Sequence, residues 1–311
     1  MTDIQWPFCG KVNFNTSDKF EKSKIEIIEN FFCKRYGAKY GILMPSSRSS
    51  ITLYMRFLKF NRKHLVSISK WSSHCLFTCI GAFSNISIAD PKADLIIVNH
   101  KWGNEYQINK KINKKKKIIE DSVDTLPGKN FKLFPNKGEI EIISLPKIIG
   151  TVAGGIILTN SKKFFKYAKL YQKRNVKLGV SQSKKKIMLT KKKLDNFDNW
   201  YFNEAWNTFV DKNLVINILD NIDNFDENIK VIIKRIKFLQ NIFNIKIDKK
   251  RLGPVIVLPY KEKIKNKNLI KYFNFKKKVF NEKYSKCFIL PLHFKVSDKK
   301  FLELIKIYKK L

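Results

Sequence analysis

A chain of 311 residues with 44% hydrophobic and 13% aromatic residues has the apolar material for a sizeable core, which excludes a disordered, charge-dominated polymer. Its formal charge of +37 invites a nucleic-acid reading, but only seven of the 63 basic residues are Arg, the side chain that bidentate phosphate and base recognition favours. Lys rises together with Asn, Ile and Phe, as AT-rich codon usage would produce, so the charge reads as solvated surface and excludes a specific nucleic-acid partner.

In chain order, short apolar runs alternate with helical patterns from residue 37 to 175, which predicts a largely parallel sheet wrapped by helices. The expected strands are 41–44, 65–68, 86–89, 95–98, 117–120, 140–144 and 155–159. Between the first two, Ile51, Tyr54, Met55 and Leu58 recur at helical spacing and form one buried stripe. Cys75 and Cys79 can share a helix face, but His74 beside them completes no metal-ligand spacing, so no metal is expected. The basic stretch 184–193 lacks apolar periodicity and predicts a linker. A long helical pattern follows over 212–243, then strands at 254–258 and 287–290 and a closing amphipathic helix over 298–309. These last elements form a small α+β unit, giving an expected division into 1–210 and 211–311. No apolar run approaches the ~18 residues of a membrane span, and five scattered cysteines without a signal-peptide pattern fit a reducing cytoplasm.

Three segments carry chemistry. Ile118-Ile119-Glu120-Asp121 is an apolar strand ending in carboxylates, where parallel-sheet enzymes place functional groups. Pro45-Ser46-Ser47-Arg48-Ser49-Ser50 lies between a strand and a helix, either as an ordinary Ser cap or as an anion site at a helix N-terminus. Lys147, in Ser144-Leu145-Pro146-Lys147-Ile148-Ile149-Gly150, stands in one of the least charged segments of a Lys-rich chain. A lysine taken out of water loses proton affinity and becomes nucleophilic.

The order of these elements resembles the DegT/StrS family of pyridoxal-phosphate (PLP) dependent sugar aminotransferases. Lys147 followed by Gly154-Gly155 and an apolar strand ending Thr159-Asn160 resembles the family's cofactor-lysine segment, and Glu120-Asp121-Ser122 resembles its Glu-Asp-Ala/Cys. Tyr36-Gly37-Ala38-Lys39-Tyr40, His100-Lys101-Trp102-Gly103 and Leu290-Pro291-Leu292-His293 match further segments in order. The resemblance implies fold type I: a large domain with a mostly parallel central sheet and a small C-terminal domain. It implies PLP carried by Lys147, with Asp121 pairing the pyridine nitrogen, and Ser47, Arg48, Ser49 and Ser144 around the phosphate. Trp71 would stack on the ring, Asp124 would stand near the phenolic oxygen, and Asn207 would reach a neighbouring subunit in a homodimer. The implied reaction moves an amino group, from glutamate, to a nucleotide-linked keto-sugar in surface polysaccharide or related sugar biosynthesis.

Departures are visible. Ser47 and Arg48 replace Gly and Thr of the family's phosphate loop, Asp124 replaces a Gln or His, and Phe209 replaces an Arg. Two alternatives follow: a sugar dehydratase of the same fold, against which Lys147 counts because those enzymes carry His there, and a non-catalytic basic binding protein on a degenerate fold.

Overall fold

The computed structural model describes residues 22–69, 71–108, 116–151, 153–175, 206–210, 212–244, 250–259, 270–273 and 286–309; the expected linker 184–193 lies outside them. The first unit runs α1 (Lys22–Tyr36), β1 (Tyr40–Met44), α2 (Ser47–Phe57), β2 (Leu65–Ile68), α3 (His74–Gly81), β3 (Asn85–Ile88) and β4 (Leu95–Asn99). A 3-10 turn, Lys101–Gly103, precedes β5 (Lys117–Asp121), β6 (Leu126–Pro127), β7 (Ile140–Ser144), α4 (Leu145–Ile149), β8 (Gly155–Thr159) and α5 (Lys162–Arg174). Then come α6 (Lys212–Ile222), α7 (Phe225–Phe243), β9 (Arg251–Leu252), β10 (Val255–Pro259), β11 (Ile270–Phe273), β12 (Lys286–Pro291) and α8 (Asp298–Lys309).

Seven strands form one sheet in the order β1-β8-β7-β5-β4-β2-β3. Pairing from β7 through β5, β4 and β2 to β3 is parallel, and β8 alone runs against its neighbours β1 and β7. Helices cover both faces, which is why the central strands are mostly apolar and buried along their length instead of alternating. Strand alternation sorts them: Ile42, Met44, Ile142 and Ile157 enter a core with Ile51, Tyr54 and Phe164, whereas Leu43, Ile143 and Ile156 enter one with Phe32, Ile148, Ile218 and Phe288. Each such fully buried side chain contributes roughly 1.5–3 kcal/mol. The second core continues past residue 210: α6 packs on α1 and α4, and side chains of α7, α8 and the small sheet, of order β10-β12-β11, belong to the same cluster.

Two expectations are corrected. The third strand is Asn85–Ile88, one residue earlier than expected, because Ala89 takes a left-handed φ of 52° and ends it. The 212–243 pattern is two helices, not one. The break falls at Asp223 and Asn224, residue types of low helix propensity, and it delivers Phe225 edge-on to Phe31 and Phe32 at 5.3 and 6.2 Å between ring centroids. β11 had no counterpart in the sequence reading.

Arg235 of α7 fastens the small unit's C-terminal segment. Its Nη1 donates to the carbonyls of Leu292 (3.2 Å) and His293 (2.6 Å), and its Nη2 to that of Val296 and to Asp298 Oδ1, both 2.6 Å. His293 is fully buried beside this clamp, with Nδ1 accepting the Lys295 N–H at 3.1 Å. Burial first, then Lys295 and Arg235, push its pKa down to about 3. The unfolded chain therefore binds a proton that the folded chain refuses between pH 6.5 and about 3, so this contribution to stability is full above pH 6.5 and is lost as pH falls. Chemical denaturation at pH 6.5 and pH 5 should differ by on the order of 2 kcal/mol from this group, and a His293→Gln variant should lose that part of the acid sensitivity. An unchanged pH slope in the variant would exclude His293 as its source.

Candidate active site

Parallel strands bring their carboxyl ends to one edge of the sheet, and β4, β5 and β7 end there in Asn99, Asp121 and Ser144. The three residues 120 to 122 then diverge. Glu120, fully buried, accepts on Oε1 from the Asn136 and Gly138 backbone N–H groups (2.8 and 3.1 Å), and on Oε2 from His100 Nε2 (2.8 Å) and Asn136 Nδ2 (3.1 Å). His100 Nδ1 accepts the Tyr106 N–H at 3.1 Å, so Nε2 carries the proton given to Glu120. His100 and Glu120 thus satisfy each other and hold the loop after β4 to β5. Ser122 turns to Glu141 and Arg251.

Asp121 alone of the three faces the edge. It is 4% exposed, with Oδ2 accepting from Asn99 Nδ2 at 2.6 Å and Oδ1 from the Val123 N–H at 3.3 Å. Burial, followed by the neighbouring Asp124 carboxylate, raises its pKa, while Lys147 and Asn99 oppose the rise. Lys147 sits on α4, a single turn started by Pro146 and stopped by Gly150 at φ 72°. Its Nζ lies 2.7 Å from Asp124 Oδ1. Burial works to lower the pKa of Lys147, but the Asp124 ion pair outweighs it, with Cys75 and Asp121 adding to the rise.

The N-terminus of α2 lies against this edge because Gly155 of β8 has no side chain: a Cβ there would meet the Ser47 nitrogen at 2.7 Å. Ser46 and Ser49 form a reciprocal capping box, so Ser49, expected beside a phosphate, uses its hydroxyl on the Ser46 carbonyl at 2.7 Å. Ser47 Oγ donates to the Ile143 carbonyl at 3.2 Å, and Arg48 is buried within electrostatic reach of the Cys79 thiol. Ser144 precedes α4 without capping it through its side chain. Trp71 packs edge-on to Trp102 at 5.8 Å. Asn207 is buried in its own chain, with Oδ1 accepting the Phe209 N–H at 2.9 Å.

One side chain at this edge escaped the sequence reading. Lys101 donates from Nζ to the Trp71 carbonyl at 2.5 Å, and burial lowers its pKa to about 8 despite the pull of Asp124. Among the described residues no group of His, Cys, Asp or Glu could hold a metal ion, and no helix is long and apolar enough to cross a membrane.

A mostly parallel sheet with a part-buried lysine, a buried strand-end carboxylate and a capped helix N-terminus at one edge is that of a PLP-dependent transferase of fold type I. The family described as "Putative PLP-dependent aminotransferase" matches residues 27–310, and the chain belongs to it. The fold is shared with Helicobacter pylori PseC, an aminotransferase involved in the biosynthesis of pseudoaminic acid (12% identity, 93% of this chain and 92% of that one, TM-score 0.67). It is also shared with a DegT DnrJ EryC1 StrS aminotransferase from Brucella abortus (10% identity, 92% and 90%, TM-score 0.66). A GDP-4-keto-6-deoxymannose-3-dehydratase matches over 78% of this chain and 72% of its own, at 12% identity and TM-score 0.56. No curated protein matches the sequence.

Proposed function

We propose that this protein is a PLP-dependent aminotransferase acting on a nucleotide-linked keto-sugar with glutamate as amino donor, as a cytoplasmic homodimer. The observation that carries the reading is the meeting of Lys147 and Asp121 at one sheet edge, from α4 and β5, within a chain of the aminotransferase family.

The residues fit the cofactor chemically: an amine to hold its carbonyl carbon, a buried carboxylate to face its ring nitrogen, and α2 with Arg48 to receive a phosphate. When bound, PLP supplies an electron sink for the carbon whose amine is transferred. Asp121, oriented by Asn99 and the Val123 N–H, presents a buried carboxylate whose negative charge would favour a protonated ring nitrogen. Lys147 Nζ, once its proton is released toward Asp124, is the nucleophile; freed again, the same atom takes and returns the proton at the substrate carbon. Burial of both carboxylates keeps water from competing for these protons.

Asp121→Asn should retain the cofactor yet lower turnover by about 10²- to 10⁴-fold, because a neutral amide does not hold the ring nitrogen protonated. Steady-state kinetics beside the absorbance spectrum reads both halves, and parental turnover would make Asp121 structural. The function itself is tested by incubating purified protein with PLP, glutamate and a nucleotide-linked 4-keto-6-deoxysugar. Mass spectrometry should find an amino sugar and 2-oxoglutarate. A deoxygenated sugar would favour the dehydratase, to whose fold the chain is also similar. No reaction with a panel of keto-sugars would overturn the proposal, and an active monomer in light scattering would remove the dimer.

A further inference from the structure

We propose that Lys101 is a second amine of the site, whose role is to take over the carboxylate of Asp124 when Lys147 is engaged with the cofactor. The inference rests on the assignment of Lys147 above and concerns a residue that assignment does not use.

The backbone at Lys101 is fixed by a crossing that admits no side chain. Trp102 and Gly103 take left-handed φ values of 56° and 80°, and a Cβ on Gly103 would stand 2.3 Å from the Gly253 nitrogen. A Cβ on Gly253 would in turn stand 2.6 Å from the Trp102 carbonyl carbon. From this clamp the Lys101 stem runs into the site, where Nζ donates to the Trp71 carbonyl at 2.5 Å and lies 4.9 Å from the centre of the Trp102 ring. These two contacts aim the ammonium at the sheet edge where Asp124 and Lys147 lie.

Among the described residues, the charged and titratable groups facing Lys101 include Asp124 and Asp121 after β5 and at its end, Lys147 on α4, Cys75 on α3 and Cys287 on β12. Burial lowers its pKa to about 8; of the charges, Asp124 acts most strongly and favours the ammonium, and Lys147 comes next and opposes it. Asp124 is 3% exposed at its side chain and has its ion pair with Lys147. A lysine joined covalently to a cofactor can no longer serve as that three-proton donor, and a buried carboxylate stripped of its cation is costly. Engagement of Lys147 therefore frees Asp124 and removes the repulsion on Lys101 together. Both changes favour a Lys101 ammonium turned to Asp124. Lys101 is thus a positioning residue, and its sign is opposite to that of the Asp124 departure.

The first test needs no cofactor. Trace acetylation across pH, followed by peptide mapping, gives the midpoint of each amine in the apo full-length protein. Lys101 should titrate near 8 in the parent and about one unit or more higher in Lys147→Met, with Lys147→Gln as a second form should the first misfold. Adding Asp124→Asn should cancel the rise. An unchanged Lys101 midpoint in the Lys147 variants overturns the proposal. With PLP bound, the pH midpoint of the visible absorbance should rise by about one unit in Lys101→Met, where Asp124 is left uncovered, and return in Lys101→Met/Asp124→Asn. Equal midpoints overturn it as well. If borohydride fixes the cofactor to another lysine while the acetylation shift persists, the Lys101–Asp124 pair stands and the role of Lys147 falls.

Discussion

Lys147→Ala is expected to lose turnover by at least about 10³-fold and to lose the borohydride-stable link to PLP, while still holding PLP reversibly. The two losses have one origin, since the same Nζ is proposed as both the covalent anchor and the mobile proton carrier. Retention follows from parts of the site that the substitution leaves alone: the capped N-terminus of α2, buried Arg48 and the Asp121 carboxylate held by Asn99. The change also deprives Asp124 of its partner at 2.7 Å, so that carboxylate should take up a proton or turn to Lys101, and the variant should lose less stability than an unanswered buried charge would cost. Borohydride reduction and peptide mapping of the parent decide the anchor. A label on any lysine other than Lys147 removes the assignment, and an active Lys147→Ala enzyme would do the same.

The sheet was legible because its central strands are buried on both faces, so their sequences are rich in Ile, Leu and Val between turn residues, and chain order then fixes which carboxyl ends meet. Lys147 was legible by contrast, as a Lys in an uncharged segment of a Lys-rich chain, and Asp121 by its place at a strand end. Lys101 was not. In a chain with 63 basic residues a further Lys carries no signal until the crossing of Trp102 and Gly103 with Gly253 shows where its stem must go. The roles of Glu120 and His100 were hidden for a related reason, because the partner that settles them, Asn136, lies on a loop with no periodic pattern. Asp223 and Asn224 fit a helical spacing, yet the helix breaks at these two residues of low helix propensity, where Phe225 enters the core. The polar connection between the two units was equally silent, since Arg251 looks like any exposed cation until it is seen among groups more than a hundred residues away.

Arg251→Met is expected to destabilise the protein by about 3–5 kcal/mol, more than any single truncation of an exposed residue. Arg251 is fully buried where β9 pairs with β6. Its Nη1 donates to Glu141 Oε1 at 2.7 Å and to Ser122 Oγ at 2.8 Å, Nη2 donates to the Lys132 carbonyl at 3.0 Å, and Nε lies 3.4 Å from Glu105 Oε2. The guanidinium also stacks over Phe131 at 4.7 Å, which Met would replace only in part. Removing the cation leaves Glu141, with no solvent exposure, facing an apolar side chain, and the resulting desolvated charge dominates the loss. Arg251→Lys should recover little, because one ammonium cannot reproduce a fork directed at Glu141, Ser122 and the Lys132 carbonyl together. Glu141→Gln on top of Arg251→Met should recover a substantial part by removing the orphaned charge, although Ser122 and the Phe134 N–H keep a weaker acceptor. Ser122 directly follows Asp121, so the single variant should also bind PLP less tightly even where it remains folded. Denaturant unfolding of the three variants measures the series, and a cost below about 1 kcal/mol for Arg251→Met, or a double variant less stable than the single, would show that the buried ion pair does not hold the units together.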